Sequence, residues 1–306
     1  MKASKKILFF GNERLATGVV TDTPIIKALV SNGYEIVAAV TTSLRANPSR
    51  KLRESEINTV AAKFDIPLIQ LDRLKPALEQ LKEFNAIAGI LASFGKMVPS
   101  EIIDIFPFGI INVHPSLLPA HRGPTPIESA ILNGDSLTGV SLMKLVSEMD
   151  AGPIFDQVEV PLQGNESKQD LADSLGKLGA ERLIAVLPQI LSGQLKPLAQ
   201  TGSVTYDKRL ESSLGTLDLN LPANRLEREI RAYKGWPRSR CEINNQMIII
   251  TQAHVGPSSY GSVGKIRDDN GTLVATTRDG DLIIDRLIPA GGKEMSSQDY
   301  LRGRPS

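Results

Sequence analysis

The chain has a single cysteine, Cys241, in 306 residues. One thiol excludes an internal disulfide and any cysteine-rich zinc site, and it fits a reducing compartment. With no histidine near it in sequence, Cys241 reads as a small, partly buried apolar filler. An excess of charge is missing too: 35 Lys and Arg stand against 34 Asp and Glu, a net charge of +1. No global field therefore draws the protein to nucleic acid or to a membrane, and any basic patch must be local. Long apolar runs are absent. The run behind the N-terminal lysines stops at Gly11, too short for a signal-peptide core, and no other approaches the length needed to cross a bilayer. The expectation is a cytoplasmic monomer with no membrane segment. Two nucleotide fingerprints are lacking as well. Gly11 and Gly18 lie too far apart for the G-x-G-x-x-G turn, and there is no G-x-x-x-x-G-K-[ST] loop. Gly11 reads as a strand-to-helix turn residue.

What is present has two grammars. A chain of 306 residues suggests two domains, each able to bury a core. In the first two thirds, "KILFFG" (6–11), "EIVAAVT" (35–41), "AIAGILAS" (86–93) and "GIINVH" (109–114) read as strands buried on both faces. Helical patterns near 23–31, 54–64, 73–83 and 100–105 separate them, which predicts a doubly wound, parallel sheet. A helix at 125–135 and strands at 139–146 and 153–162 follow. A long helix from Ser167 to Ser192 comes next, with Ser167 as N-cap and Pro188 bending or ending it. Residues 204–222 look like a linker, and 223–233 form a helix with Leu226, Ile230 and Tyr233 on one face. Beyond it, "RCEI", "MIIITQAHV", "GSVGKI", "TLVATT" and "DLIIDRLI", separated by turn residues, predict a small antiparallel barrel.

Chemistry concentrates in "INVHPSLLPAHRGPTPI" (111–127), which holds four prolines, Asn112 and two of the three histidines. Each proline fixes its own φ and biases the residue before it toward extended conformations, so the segment is a stiff loop after a strand. Asn112 and His114 stand two apart at the carboxyl end of that strand, where open α/β sheets bind ligands, and alternation puts both on one side. A satisfied polar pair at a strand end is an equally good reading of these two residues taken alone. Asp150, in "SEMDAG" between two later strands, is a third candidate, since a carboxylate can fix an imidazole's tautomer. An Asp before Ala-Gly is also simply a good turn residue.

These residues carry a resemblance. "NVHPSLLPAHRGPTPIESAILNGDSLTGVSLMKLVSEMDAGPIF" (112–155) resembles the signature of the 10-formyltetrahydrofolate-dependent formyltransferases, and "SFGKMVP" (93–99) is similar to the segment before it. "VTYDKRL", "LEREIRAYKGWP" and "LIPAGGKEMSSQDYLRG" resemble the carboxyl-terminal domain of members that formylate a charged transfer RNA. The resemblance implies an α/β fold, with a Rossmann-like, doubly wound, mostly parallel sheet in a catalytic domain at 1–200. A linker at 201–222 and an antiparallel, OB-like β-barrel that binds transfer RNA at 223–306 would follow. It implies an enzyme that moves a formyl group from 10-formyltetrahydrofolate, with no metal, to the amino group of methionine on initiator transfer RNA. Asn112 and His114 would stabilise the oxyanion, and Asp150 would orient His114. Ser116, Leu117, Leu118 and Pro119 match the folate-binding segment.

For the RNA, the resemblance points to a basic loop carrying Arg45, Arg50, Lys51 and Arg53, and Arg225, Arg228 and Arg231 recur at helical spacing, a second basic face suited to an RNA backbone. His121 takes a place often aromatic in the family and reads as a loop-packing residue; Trp236 reads as a packing anchor and His254 as structural. Two rivals stay open at this point: a sugar-nucleotide N-formyltransferase, and a non-catalytic RNA-binding protein on the same fold.

Overall fold

The computed structural model describes residues 5–42, 55–257 and 261–303. Contacts divide the chain into two compact units, the first made of residues 1–126, 136–162 and 169–208, the second of 127–135, 163–168 and 209–306.

In the first unit the buried runs become strands β1 (Lys6–Gly11), β2 (Glu35–Thr41), β3 (Leu68–Gln70), β4 (Ala88–Ala92), β5 (Ile110–His114), β6 (Leu137–Lys144) and β7 (Ile154–Pro161). They form one sheet in the order β3-β2-β1-β4-β5-β6-β7. From β3 to β5 every pair is parallel, and β5–β6 and β6–β7 are antiparallel. The sheet is thus mostly parallel. The short connection of residues 145–153 allows only a hairpin between β6 and β7, because a parallel return needs a longer crossover. β3 is not foreseen by the apolar pattern: it has three residues and lies at the sheet edge.

Crossovers are made by α1 (Pro24–Ser31), α2 (Glu56–Lys63), α3 (Leu78–Glu83) and α4 (Ser100–Ile103); α5 (Pro126–Asn133) and α6 (Lys168–Leu191) follow later. On one face, Leu8, Phe10 and Ile110 of the sheet pack with Leu81, Ile102 and Phe106. Phe10 meets Phe94 and Phe106 edge-on, with centroids 5.6 and 6.0 Å apart, pairs worth about 0.5–1.5 kcal/mol each beyond their burial. On the other face α6 comes close to the sheet. A side chain at Gly179 would meet Val113 Cγ1 at 2.6 Å, so the glycine lets α6 approach β5. Pro188 lies inside α6, which runs on to Leu191 before it ends.

In the second unit, β8 (Ser239–Ile243), β9 (Gln246–Gly256), β10 (Ile266–Asp269), β11 (Thr272–Thr276), β12 (Asp281–Ile288) and β13 (Met295–Ser296) build an antiparallel half-barrel. Its order is β10-β11-β12-β9-β8, with β13 on β12. The hairpin turns are written in the residue types: Asn244 and Asn245 have φ of +51 and +61, and Asn270 and Gly271 of +52 and +81, the conformation that two-residue turns require. α7 (Ala223–Ala232) buries Leu226 and Ile230 against Cys241, Ile248, Ile250 and Leu282, and α8 (Ser297–Arg302) is capped by Ser296, whose Oγ accepts from Asp299 N at 3.1 Å. Burial pushes the Cys241 thiol up to about 12, so it is an inert filler.

This unit also holds a buried ion pair. Lys168 Nζ lies 3.8 Å from Glu128 Oε1 with both side chains inaccessible to water, and it donates to the Trp236 carbonyl at 3.2 Å. Burial lowers the Lys168 amine from its ordinary 10.5 to about 8, against the opposing pull of Glu128. Trp236 is 41% exposed, and its carbonyl is what accepts from Lys168. His254 is exposed and pairs with Asp285 at 3.0 Å.

Candidate active site

β5 is a central strand, and its carboxyl end carries Asn112 and His114, each 5% exposed. Asp150 arrives from the β6–β7 connection with φ +48, a left-handed conformation that Asp tolerates better than most residues. Its Oδ2 accepts from Gly123 N at 2.8 Å, and its main-chain oxygen accepts from Gln200 Nε2 at 2.8 Å. The other oxygen, Oδ1, is 3.4 Å from Asn112 Nδ2 and 3.9 Å from His114 Nδ1. The three residues singled out in the sequence are therefore brought together.

His114 Nε2 sits 2.9 Å from the main-chain oxygen of His121. A carbonyl only accepts, so Nε2 carries the hydrogen and a neutral ring has its lone pair at Nδ1, on the side of Asp150. A proton taken up at Nδ1 would find a carboxylate facing it. The ring can therefore receive a proton there, or donate from there once charged.

The loop of Ser116, Leu117, Leu118 and Pro119 is stapled to β6 and β7. Ser116 Oγ donates to Ala120 O at 2.7 Å, Leu118 N donates to Ser141 Oγ at 3.0 Å, and Ser141 Oγ donates to Ser116 O at 2.6 Å. Gln157 Nε2 donates to Leu118 O at 2.7 Å and to Ser141 Oγ at 2.8 Å. Ser116 is fully buried and Leu117 half-buried, so the serine hydroxyl holds the loop's shape and Leu117 is the more accessible side chain of this segment.

A strap of residues 198–208 completes the constellation. Arg122 donates to Gln200 Oε1 at 2.7 and 3.1 Å and to Tyr206 Oη at 3.0 Å. Its main chain accepts from Asp207 N at 2.7 Å and donates to Thr205 O at 3.0 Å. Residues 204–208, which the sequence pattern assigns to a linker, are thus bonded to the loop after β5. Gly123, with φ +119, must be glycine: a Cβ there would lie 2.6 Å from Asp207 O.

Residues 5–187 match the family model described as formyl transferase, and residues 209–305 match that of the formyl transferase C-terminal domain. The chain belongs to the formyl transferase family. This formyltransferase is 33% identical over 304 residues to the methionyl-tRNA formyltransferase of Herpetosiphon aurantiacus, with 97% of each chain covered. Its fold is shared with the N-formyltransferase of Helicobacter canadensis, solved with folinic acid and dTDP-3-aminofucose (TM-score 0.67, 19% identity, 92% of this chain and 98% of that one). It is also shared with the methionyl-tRNA formyltransferase of Clostridium thermocellum (TM-score 0.54, 16% identity, 91% and 98%).

The formyltransferase's expected RNA contacts fare unevenly. Arg45, Arg50, Lys51 and Arg53 lie outside the described residues. Arg225, Arg228 and Arg231 require a correction: within the second unit their guanidinium groups all make intramolecular bonds, and each side chain stays partly exposed. Arg225 bonds Glu229 and the Leu132 carbonyl, Arg228 the Asn133 carbonyl, and Arg231 both Glu227 and the Glu166 carbonyl. For Arg225 and Arg231 the acids four residues away on the same helix, Glu229 and Glu227, were the readable signal. Arg231→Ala should accordingly lower the second unit's stability by about 1–3 kcal/mol and leave the salt slope of RNA binding unchanged. Denaturation and filter-binding titrations at several salt concentrations measure the two effects; a flattened slope with intact stability would instead mean that Arg231 contacts phosphate.

Sequence reasoning also missed Ser141, Gln157, Gln200 and Asp207. Only Ser141 left a trace, a polar residue flanked in its strand by the buried apolar Val140, Leu142 and Met143.

Proposed function

We propose that this formyltransferase moves the formyl group of 10-formyltetrahydrofolate to the α-amino group of methionine esterified to initiator transfer RNA, in the cytoplasm. The observation that carries the chemistry is the convergence of Asn112, His114 and Asp150 at the end of β5. The near-complete coverage, over both domains, of a curated relative named methionyl-tRNA formyltransferase supports the acceptor. The donor set suits an acyl transfer between two substrates: an amide N–H group, an imidazole and a carboxylate at one strand end. The folate donor supplies an activated formyl carbon.

Asn112 Nδ2 has two hydrogens, and its contact to Asp150 is long at 3.4 Å, so it can turn a hydrogen toward a negative formyl oxygen. His114 accepts the proton of the attacking amine at Nδ1, directly or through a water, the resulting cation faces Asp150, and the proton passes on to the folate nitrogen as its bond to the formyl carbon breaks, releasing tetrahydrofolate. Asp150 is itself fixed by the Gly123 amide, so the charge it offers stays in place. The stapled Ser116, Leu117, Leu118 and Pro119 segment shapes the donor side; such preorganisation matters because a misplacement of ~1 Å can cost a hundredfold in rate. Arg45, Arg50, Lys51 and Arg53 would hold the RNA backbone.

A formyl-transfer assay with the folate donor tests the reading against an amino-sugar nucleotide as alternative acceptor. Formyl-methionyl-tRNA should form and the sugar product should not. Neutralising Arg50, Lys51 and Arg53 together should reduce the salt slope of RNA binding by roughly 2–3, close to one unit per charge lost. Transfer to the sugar alone would overturn the acceptor.

A further inference from the structure

The carbonyl that fixes the His114 ring belongs to a residue in a conformation that side chains rarely adopt. His121 has φ +59, a left-handed backbone that persists in a non-glycine residue only where its surroundings enforce it. Several contacts do so here. Its N–H donates to Thr205 Oγ1 at 2.8 Å, and its ring Nδ1 faces both carboxylate oxygens of Asp207, at 3.1 and 3.2 Å. On the carboxyl side, the main-chain bonds of Arg122 to Thr205 and Asp207 hold the next peptide. The His121 and Asp207 side chains are only 12% and 9% exposed, so water competes little for their contact.

We propose that His121 and Asp207 are positioning residues for His114. The imidazole–carboxylate contact holds the His121 peptide so that its oxygen accepts from His114 Nε2, which keeps Nδ1 turned toward Asp150. This rests on His114 being the proton-handling group of the formyl transfer. The chain of influence is short and physical. Asp207 fixes the His121 ring, the ring fixes the backbone torsion, the torsion aims the carbonyl, and the carbonyl decides which nitrogen of His114 carries the hydrogen. The main-chain bonds of Arg122 would still dock the strap without this pair. What the pair adds is control of one peptide plane, the plane that carries the acceptor for His114. Neither residue touches the reacting atoms, so their loss should appear in turnover and not in binding of either substrate.

The test uses the full chain with Asp207→Ala, His121→Ala and Asp207→Asn. Two readouts are taken: the ring 15N shifts of His114 without substrate, and steady-state kinetics with the folate donor and charged initiator RNA. In both alanine variants the His114 ring should lose its single Nε2–H tautomer. The value of kcat should fall by about 10- to 100-fold, with both KM values within about threefold of wild type. Asp207→Asn, whose amide oxygen can still accept from Nδ1–H of His121, should restore the tautomer and most of kcat. Unchanged 15N shifts in Asp207→Ala would overturn the proposal, as would a loss of activity that Asp207→Asn does not rescue. The shifts are read in the absence of any reaction. A failure of the catalytic reading, seen as normal turnover in His114→Ala, is therefore distinguishable from a failure of this one.

Discussion

Replacing His114 with Ala lowers kcat by about a hundredfold or more and leaves folate binding largely intact. The expectation follows from where the ring stands. Its Nε2 is committed to the His121 carbonyl, so Nδ1 is the atom that meets substrate and Asp150. Losing a positioned proton acceptor typically costs about 10²–10⁴-fold in rate. Asn112→Ala and Asp150→Ala should be similar in size. Double variants should fall little further, because the three side chains act as a unit on one tetrahedral intermediate and such effects are strongly non-additive. Single-turnover and steady-state kinetics with charged initiator RNA measure this, with folate affinity read separately by fluorescence titration. Turnover within a few-fold of wild type in His114→Ala would sink the assignment.

Glu128→Gln should destabilise the second unit by about 3–5 kcal/mol at neutral pH, because it leaves the Lys168 charge buried without its carboxylate. The chain's single tryptophan, Trp236, reports on this unit, and its carbonyl is a partner of Lys168, so fluorescence-monitored denaturation reads the transition directly. The double variant Glu128→Leu with Lys168→Met should recover most of the loss, since apolar groups of similar size carry no charge to desolvate. The pH dependence has a definite sign. Burial lowers Lys168 from 10.5 to about 8 in the folded chain. Between those values the unfolded chain binds the proton that the folded one has given up, so the stability of this unit rises with pH across that window. Lys168→Met should remove that rise. A loss below about 1 kcal/mol in Glu128→Gln would mean the pair is solvated in solution, contrary to its burial.

The strand that carries Asn112 and His114 was legible because β5 is buried on both faces and bounded by turn residues, so its existence and its two polar residues could be read from "INVH". Family motifs then tied Asp150 to them, which spacing could not do. Other features were hidden for physical reasons. β3 has three residues and a half-exposed pattern, below the length at which periodicity speaks. The stripe of Arg225, Arg228 and Arg231 looked like a basic surface because charge is visible in a sequence and its partners are not. Three of those partners are main-chain carbonyls at residues 132, 133 and 166, groups that every sequence position offers equally. The part played by Asp207 was invisible for a related reason: it acts through a backbone torsion 86 residues away.

The order of synthesis gives the discontinuous second unit a cost in time. Its segments at 127–135 and 163–168 leave the ribosome well before residues 209–306 exist. At about 5–20 residues per second, roughly 9–35 seconds separate the making of α5 from completion of the half-barrel. Through that interval the carbonyls of Leu132 and Asn133 await guanidinium groups at 225 and 228, and Glu128 and Lys168 await the Trp236 carbonyl. A chain stopped near residue 200 would stay in this state permanently, its first unit whole in sequence up to the strap and carrying two pieces of a domain that never arrives. The nascent protein should therefore be most exposed to proteases and chaperones at α5, and that exposure should end only when α7 and the strands behind it have emerged.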